Sequence, residues 1–149
     1  MKRKSLAALL MIVAVLTAML FTGCGKKATP TLEDYCKDNP EVQENIDSAM
    51  ADSNVAVEIK GNEIIYNFDL SKADGYTEEL AKSDEIKTAL EGALASAGST
   101  FGNISKSIEE STEISGISTT VNYLWGDELI VTKSFTSADA EASAESESD

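Results

Sequence analysis

The sequence predicts an α+β fold in which two β-hairpins form a four-stranded antiparallel sheet with helices packed on one face. Two stretches, 55–70 and 117–135, alternate apolar with polar residues around a glycine turn signal, and each predicts a hairpin. Apolar residues at intervals of three and four predict helices before the first hairpin and between the two. The expected order is therefore α-β-β-α-β-β.

The first helical segment is expected to begin after Thr31, because threonine is a good N-cap and Asp34 three residues later resembles a capping box. Asn39-Pro40 then interrupts the helical pattern, since proline favours the first helical position and asparagine favours the cap before it. We predict a short helix, a step at Asn39, and a second helix that ends near Ala51.

The register of the first hairpin follows from its turn signal, Gly61-Asn62. A two-residue loop at this signal places only apolar residues opposite one another on one face. The predicted pairs are Ile59 with Ile64, Val57 with Tyr66 and Val55 with Phe68.

A single long helix is predicted over 84–113, where apolar residues recur at steps of three and four. Gly98 and Gly102 interrupt this pattern, and each is less favourable in a helix than alanine by up to about 1 kcal/mol. The two glycines indicate either a hinge or, as we favour, the close approach of a neighbouring segment.

The second hairpin is predicted around Gly126-Asp127, but its register is open. A two-residue loop pairs Leu124 with Leu129 and leaves Asn122 opposite Val131. A three-residue loop pairs Tyr123 with Val131 and Trp125 with Leu129, and we prefer it because it matches apolar residues.

The N-terminus has the pattern of a secretory signal. Lys2-Arg3-Lys4 precedes the apolar run Leu6 to Phe21, which is followed by Thr22-Gly23 and Cys24. The run is somewhat short for a membrane span, which needs roughly 20 residues. The alternatives are an uncleaved anchor helix and ordinary secretion in which Cys24 has no role.

Phe21-Thr22-Gly23-Cys24 resembles the lipobox of bacterial lipoproteins, although Phe21 departs from the usual leucine. The resemblance implies acylation of the Cys24 thiol, as in palmitate-bearing lipoproteins, and cleavage before it. Two acyl chains make a stable anchor. We therefore expect a signal peptide at 1–23, a lipidated cysteine and tether at 24–30, and a location on the extracytoplasmic face of the cell membrane.

The chain is strongly acidic, with 26 Asp and Glu against 12 Lys and Arg. Cleavage before Cys24 removes three basic residues and changes the formal charge from −14 to −17. Such a charge argues against nucleic acid as a partner, because its binders need a basic surface. Residues 137–149 contain only Ala, Ser, Glu and Asp, so we predict a disordered tail at 136–149 and one domain at 31–135.

The sequence offers no recognisable catalytic, cofactor or metal motif, and with no histidine it excludes Ser–His and Cys–His pairs. We therefore predict that the protein is not an enzyme. If Cys24 is lipidated, Cys36 has no partner for an intramolecular disulfide. Cys36 is then a buried thiol or forms an intermolecular disulfide.

Two aromatic residues are candidate partner contacts: Trp125 beside the second turn and Tyr76 beside Gly75. Exposed aromatic side chains can anchor a partner, and the alternative for Trp125 is that it folds back on the core. The expected function is a non-enzymatic interaction module of the cell envelope that binds a protein or peptide. The alternative is a small-ligand or carbohydrate-binding accessory module.

The chain also resembles a family of small lipoproteins of Gram-positive anaerobes that carry a domain of unknown function. The similar segments occur in the same order and cover most of 31–135, and the residue expected at Cys36 is aliphatic. The resemblance implies an α+β domain and an envelope location, and no established activity. The segments are Thr31-Leu32-Glu33-Asp34-Tyr35, Asn39-Pro40, Val57-Glu58-Ile59-Lys60-Gly61-Asn62, Ser99-Thr100-Phe101 and Val121-Asn122-Tyr123-Leu124 leading to Phe135.

Overall fold

The computed structural model describes residues 31–51 and 53–140, and these residues have the mixed α+β class that the sequence predicts. The predicted signal peptide (1–23), the lipidated Cys24 with its tether (24–30) and residues 141–149 of the predicted tail lie outside the described residues. Within that part of the chain, no helix has the length and apolar character needed to cross a membrane.

The described residues form five α-helices and a single four-stranded sheet. The helices are α1 (Leu32–Asp38), α2 (Pro40–Met50), α3 (Glu78–Ala81), α4 (Asp84–Ser96) and α5 (Gly98–Thr112). The strands are β1 (Val55–Lys60), β2 (Glu63–Asp69), β3 (Ser118–Trp125) and β4 (Glu128–Thr136), and they lie in the order β1-β2-β3-β4.

The two N-terminal helices meet at Asn39, as predicted, but the cap is different. Thr31 caps α1, because its Oγ1 accepts a hydrogen bond of 3.1 Å from the backbone N–H of Asp34. Asn39 was expected to cap α2, yet its side chain makes no cap hydrogen bond there. Its Nδ2 donates instead to the carbonyl oxygen of Tyr35 at 2.8 Å, so the Asn39 side chain closes the end of α1.

The register of the first hairpin is confirmed. Ile59 pairs with Ile64, Val57 with Tyr66 and Val55 with Phe68 across a two-residue turn. Gly61 has φ +58° at the first turn position, which glycine adopts without the strain that a Cβ imposes.

The prediction of a purely antiparallel sheet is wrong, because β2 and β3 run parallel from Glu63 opposite Ser118 to Asp69 opposite Leu124. The helices between the two strands provide the physical reason. A crossover of this length returns the chain to the end of the sheet where β2 begins, and parallel neighbours require such a connection. The sheet is therefore mixed, with an antiparallel hairpin on each side of one parallel pair.

The second hairpin combines the two registers that the sequence left open. Its turn has two residues, so Trp125 pairs with Glu128 and Leu124 with Leu129, and the predicted pairing of Trp125 with Leu129 is wrong. A register shift then brings Tyr123 opposite Val131, as the longer loop had predicted. The shift is a β-bulge that leaves Ile130 as the extra residue and keeps Val131 buried at 7 % exposure.

The single helix predicted over 84–113 is two helices that meet at Ala97. Ala97 has φ −90° and ψ 5°, outside the helical range, and α5 begins at Gly98. The glycine pattern therefore marked a real interruption at this point.

Gly102 permits the close approach of a neighbouring segment, which was the favoured interpretation. A Cβ at Gly102 would lie 2.7 Å from the carbonyl carbon of Asp139 and would also collide with the backbone nitrogen of Ala140. Strand β4 continues to Thr136, and Ser137–Ala140 forms a 3-10 turn against α5. The start of the acidic segment, Ser137–Ala140, therefore packs against α5 at Gly102.

The core lies on one face of the sheet, and three aromatic rings form its centre. The Phe101 ring of α5 stacks on Phe135 of β4 at 5.2 Å between centroids and lies 6.0 Å from Tyr66 of β2. All three side chains are at most 2 % exposed. Helix α5 is thereby fixed to both hairpins by aromatic packing.

The hydroxyl of Tyr66 is buried and has no hydrogen-bond partner among the described residues. Burial raises the pKa of Tyr66, so the group stays protonated at neutral pH. An unsatisfied buried hydroxyl is destabilising by about 1–3 kcal/mol.

We expect Tyr66→Phe to raise the free energy of unfolding by about 1 kcal/mol, because it removes this hydroxyl and keeps the ring. Urea unfolding of both proteins measures the change. Tyr35→Phe, at a half-buried position, is the matched control and should change stability by less than about 0.5 kcal/mol. A loss of stability in Tyr66→Phe would show that the hydroxyl has a partner.

Candidate functional site

The face of the sheet opposite the aromatic core is the candidate functional surface, and we call it the outer face. Successive side chains of a strand point to opposite faces, so the residues between the buried positions define it. Its side chains are mostly exposed or half-exposed. It comprises Ala56, Glu58 and Lys60 of β1, Glu63, Ile65 and Asn67 of β2, Thr120 and Asn122 of β3, and Thr132 and Ser134 of β4.

A row of hydrogen bonds crosses three strands in the middle of the outer face. The Thr132 hydroxyl donates to Asn122 Oδ1 at 2.7 Å, and Asn122 Nδ2 donates to Asn67 Oδ1 at 2.9 Å. Because each amide is held by a neighbour, the row fixes the orientation of the polar groups that this face presents.

A second row runs beside the first. The Thr120 hydroxyl donates to the carboxylate of Glu63 in β2 and lies 2.7 Å from the Ser134 hydroxyl of β4. Thr120 is 7 % exposed although it faces outward. The two rows make the outer face a rigid polar surface rather than a set of freely rotating side chains.

The aromatic side chains of the strands point away from the outer face. Tyr66, Phe68, Tyr123 and Phe135 alternate with the outer residues and belong to the core or pack against it. Phe68 and Tyr123 pack in a tilted arrangement on that side, with 5.2 Å between their ring centroids. The outer face therefore lacks the flat aromatic platform on which sugar rings commonly stack.

The two predicted aromatic contacts, Trp125 and Tyr76, are half-buried and pack against the core. They lie on the core side of the sheet. Burial raises the pKa of Tyr123, and the neighbouring Tyr76 raises it further. The structure exposes neither Trp125 nor Tyr76 fully.

The free edge of β1 is occupied at both of its ends. The Ser53 hydroxyl accepts from Val55 N–H at 3.3 Å and donates to the Val55 carbonyl oxygen at 3.2 Å. At the other end, Gly61 N–H donates to the Glu33 carboxylate at 2.8 Å, and the Gly61 carbonyl oxygen accepts from Glu33 N–H at the same distance. The backbone at both ends of this edge is therefore already bonded, which disfavours the addition of another strand.

The free edge of β4 carries three features that oppose strand addition. Ile130 forms the bulge, and Lys133 places its Nζ 5.5 Å from the centre of the buried Phe135 ring. Thr136 N–H donates to the Asp139 carboxylate at 2.7 Å. Bulges and charged residues that point inward are common devices for protecting an edge strand.

A cavity of about 430 Å³ opens at the end of the outer face where the parallel strands β2 and β3 finish. Asn67 and Asp69 of β2 line it, together with Asn54, Lys72 and Asp127 from the segments around them. Its volume falls within the range of about 300–1,000 Å³ that is typical of small-molecule sites.

Asp69 holds this end of the sheet together. Its Oδ1 accepts hydrogen bonds from Ser71 Oγ at 2.6 Å, Ser71 N–H at 3.0 Å and Gly126 N–H at 3.1 Å. Lys72 Nζ lies 3.3 Å from Asp69 Oδ2. These bonds, the Ser71 hydroxyl first among them, lower the pKa of Asp69 to about 2.

The low pKa of Asp69 predicts an acid-dependent loss of stability. A carboxylate whose folded pKa is depressed stabilises the fold above its unfolded pKa, about 3.9, and this contribution disappears as the pH falls towards about 2. We therefore expect the difference in free energy of unfolding between wild type and Asp69→Asn to become smaller as the pH falls from about 3.9 towards about 2. Urea unfolding at a series of pH values measures it.

Ser71→Ala keeps the carboxylate and removes its shortest hydrogen bond. The stability difference between wild type and Ser71→Ala should also become smaller as the pH falls, but by less than the difference between wild type and Asp69→Asn. A difference between wild type and Asp69→Asn that is constant with pH would contradict the assigned role of Asp69.

Cys36 is a core residue in the structure, in agreement with the first of the two predicted alternatives. Its side chain is 8 % exposed, and burial raises its pKa to about 11. A thiol that stays protonated is a poor nucleophile. Within 31–51 and 53–140, no group of three or more Cys, Asp or Glu side chains is arranged to hold a metal ion.

Sequence reasoning missed the two hydrogen-bonded rows of the outer face and the group of hydrogen bonds that Asp69 accepts. A signal for the rows was present, because Asn67, Asn122 and Thr132 are uncharged polar residues at outward positions of predicted strands. Asp69 had no such signal, since its partner Gly126 is 57 residues away in the chain.

The comparison with known proteins identifies the domain and gives it no activity. The family model described as a domain of unknown function, DUF4854, matches residues 32–135. No match was found among the curated proteins or among the solved structures. The matched range contains all five helices and all four strands except the last residue of β4, so the chain belongs to the DUF4854 family.

Proposed function

We propose that the protein is a lipid-anchored, extracytoplasmic lipoprotein, of the kind found in Gram-positive bacteria, whose domain is a non-enzymatic interaction module of the cell envelope. The partner is an envelope protein or peptide, and the membrane lipid is reached through acylated Cys24. The outer face is the observation that carries this proposal. It is a broad, accessible surface whose polar groups are held in fixed orientations by two hydrogen-bonded rows.

The outer face is a better docking surface than either sheet edge. Both edges are protected, β1 by the bonds of Ser53 and Glu33 at its two ends and β4 by the bulge and by the bond of Asp139 to Thr136. The formal charge of −17 after cleavage before Cys24 disfavours nucleic acid and favours a partner without a large acidic surface. A preorganised polar surface supports specific recognition, because its groups lose little conformational freedom on binding.

Metabolic labelling with an alkyne fatty acid tests the anchor. Wild type should carry the label, Cys24→Ser should lose it, and Cys36→Ala should keep it because Cys36 is buried in the core. An unlabelled wild type, or a labelled Cys24→Ser, would falsify the lipid anchor.

Proximity labelling from the tethered protein in its own cells tests the partner. Thr132→Arg places a long charged side chain at an exposed position of the outer face, and Thr88→Arg makes the same change on an exposed position of α4. We expect a reproducible envelope neighbour that Thr132→Arg abolishes and Thr88→Arg retains. A neighbour that persists in both variants, or no reproducible neighbour in wild type, counts against the outer face.

A second candidate function is a small-ligand accessory module, and the cavity of about 430 Å³ at the end of the outer face favours it. The carbohydrate version of this alternative is weaker. Tyr66, Phe68 and Tyr123 all face the core, and Trp125 packs against it. Binding of a soluble small molecule by the untethered domain, with no protein neighbour in cells, would favour this alternative.

A further inference from the structure

The cavity at the carboxyl ends of β2 and β3 presents polar groups whose bonding capacity is only partly used. Asn67 Oδ1 accepts from Asn122, so its Nδ2 is left to donate to a ligand. Asn54 Nδ2 donates to the carbonyl oxygen of Lys72 at 3.0 Å, so its Oδ1 is left to accept. The cavity therefore offers an amide donor and an amide acceptor.

The cavity also contains one cation and one carboxylate that are accessible to a ligand. The Lys72 side chain is 69 % exposed, whereas Asp69, with which it pairs, is only 16 % exposed and is already bonded to Ser71 and Gly126. Asp127 is exposed in the second turn and makes no hydrogen bond or ion pair within the described chain. A ligand would thus meet the ammonium of Lys72 and the carboxylate of Asp127.

The ammonium of Lys72 and the turn that carries Asp127 both adjoin Asp69. Lys72 Nζ lies 3.3 Å from Asp69 Oδ2, and Asp69 Oδ1 accepts at 3.1 Å from the N–H of Gly126, which precedes Asp127. The two charges are therefore presented at the same end of the cavity, which suits a small zwitterion because its own ammonium and carboxylate groups are close together.

We infer that this cavity binds a small zwitterion, an α-amino acid or a dipeptide, with its ammonium group on Asp127 and its carboxylate on Lys72 and Asn67. In a dipeptide, the amide N–H has Asn54 Oδ1 as its acceptor. The half-buried Leu124 supplies an apolar wall for a small side chain. This inference depends neither on the lipid anchor nor on a protein partner at the outer face.

Titration of the full chain with alanine and with alanyl-alanine, followed by ¹⁵N NMR, tests the inference. Saturable shifts are expected at the amides of Gly126, Asn67 and Asn54. Lys72→Gln and Asp127→Asn should each weaken binding at least about threefold, the loss expected for one partly exposed ion pair. Lys37→Gln is the matched control, because Lys37 is 66 % exposed and pairs with Glu33 on α1, and it does not line the cavity.

Modified probes assign the two ends of the ligand. N-acetyl-alanyl-alanine lacks the ammonium group, so it should bind more weakly and be insensitive to Asp127→Asn. Alanyl-alanine amide lacks the carboxylate and should be insensitive to Lys72→Gln. Absence of saturable shifts, equal binding of glucose, or equal losses in Lys37→Gln and Lys72→Gln would overturn the inference.

Discussion

Replacing Phe101 by alanine is expected to lower the free energy of unfolding by about 3–5 kcal/mol, the range found for large-to-small changes at buried aromatic positions. Phe101 is 2 % exposed and its ring contacts both Tyr66 of β2 and Phe135 of β4. The substitution leaves a cavity where α5 meets the two hairpins. Urea or thermal unfolding measures the loss.

Phe68→Ala is the matched control for this prediction. Phe68 is half-buried, and among the aromatic rings of the described residues it packs only against Tyr123, in a tilted arrangement. We expect a loss of about 1–2 kcal/mol there. The half-buried ring shields less apolar area from water than the Phe101 ring does, so its removal has a smaller effect. Equal losses at the two positions would show that the aromatic centre is not the main link between α5 and the sheet.

The first hairpin could be predicted because its register depends on local information alone. The alternation of 55–60 and 63–68 and the length of the Gly61-Asn62 turn independently require Ile59 opposite Ile64. A shift by one residue would expose every apolar side chain of the pair. Two local constraints that agree therefore specify the pairing without knowledge of the rest of the fold.

The direction of one hairpin relative to the other could not be predicted in this way. A strand with one buried face has the same alternation whether its neighbour is parallel or antiparallel. The direction depends on the crossover through α3, α4 and α5, and on contacts such as the hydrogen bond of 3.0 Å from Ser118 N–H to the Asn62 carbonyl oxygen. These partners are too far apart in the chain for a local pattern to connect them.

The candidate site depends on the same long-range features. Asn122 and Asn67 are neighbours only because β2 and β3 are parallel in the observed register. Thr132 reaches Asn122 only because the bulge at Ile130 shifts β4 by one residue. The sequence therefore predicts which side chains face outward, whereas their hydrogen-bonded rows follow from the tertiary arrangement.

Asn62→Ala is expected to lower the free energy of unfolding by about 2–4 kcal/mol, because two side-chain hydrogen bonds to distant segments are lost. Asn62 Oδ1 accepts from the backbone N–H of Leu32 at 2.9 Å, and Asn62 Nδ2 donates to the Ser115 carbonyl oxygen at 3.2 Å. Leu32 is 2 % exposed and begins α1, so its N–H would be left buried without a partner. Urea unfolding and the amide exchange rate of Leu32 measure the two effects.

Asp127→Ala is the matched control, because Asp127 occupies the corresponding second position of the other hairpin turn but is exposed. It should change stability by less than about 0.5 kcal/mol. Asn62→Asp keeps the acceptor for Leu32 and loses the donor to Ser115, so its stability should fall between wild type and Asn62→Ala. If the alanine variants at 62 and 127 lose equal stability, Asn62 acts only as a turn residue. A larger loss at 62 alone means that its side chain joins α1, the first hairpin and the segment before β3 into one domain.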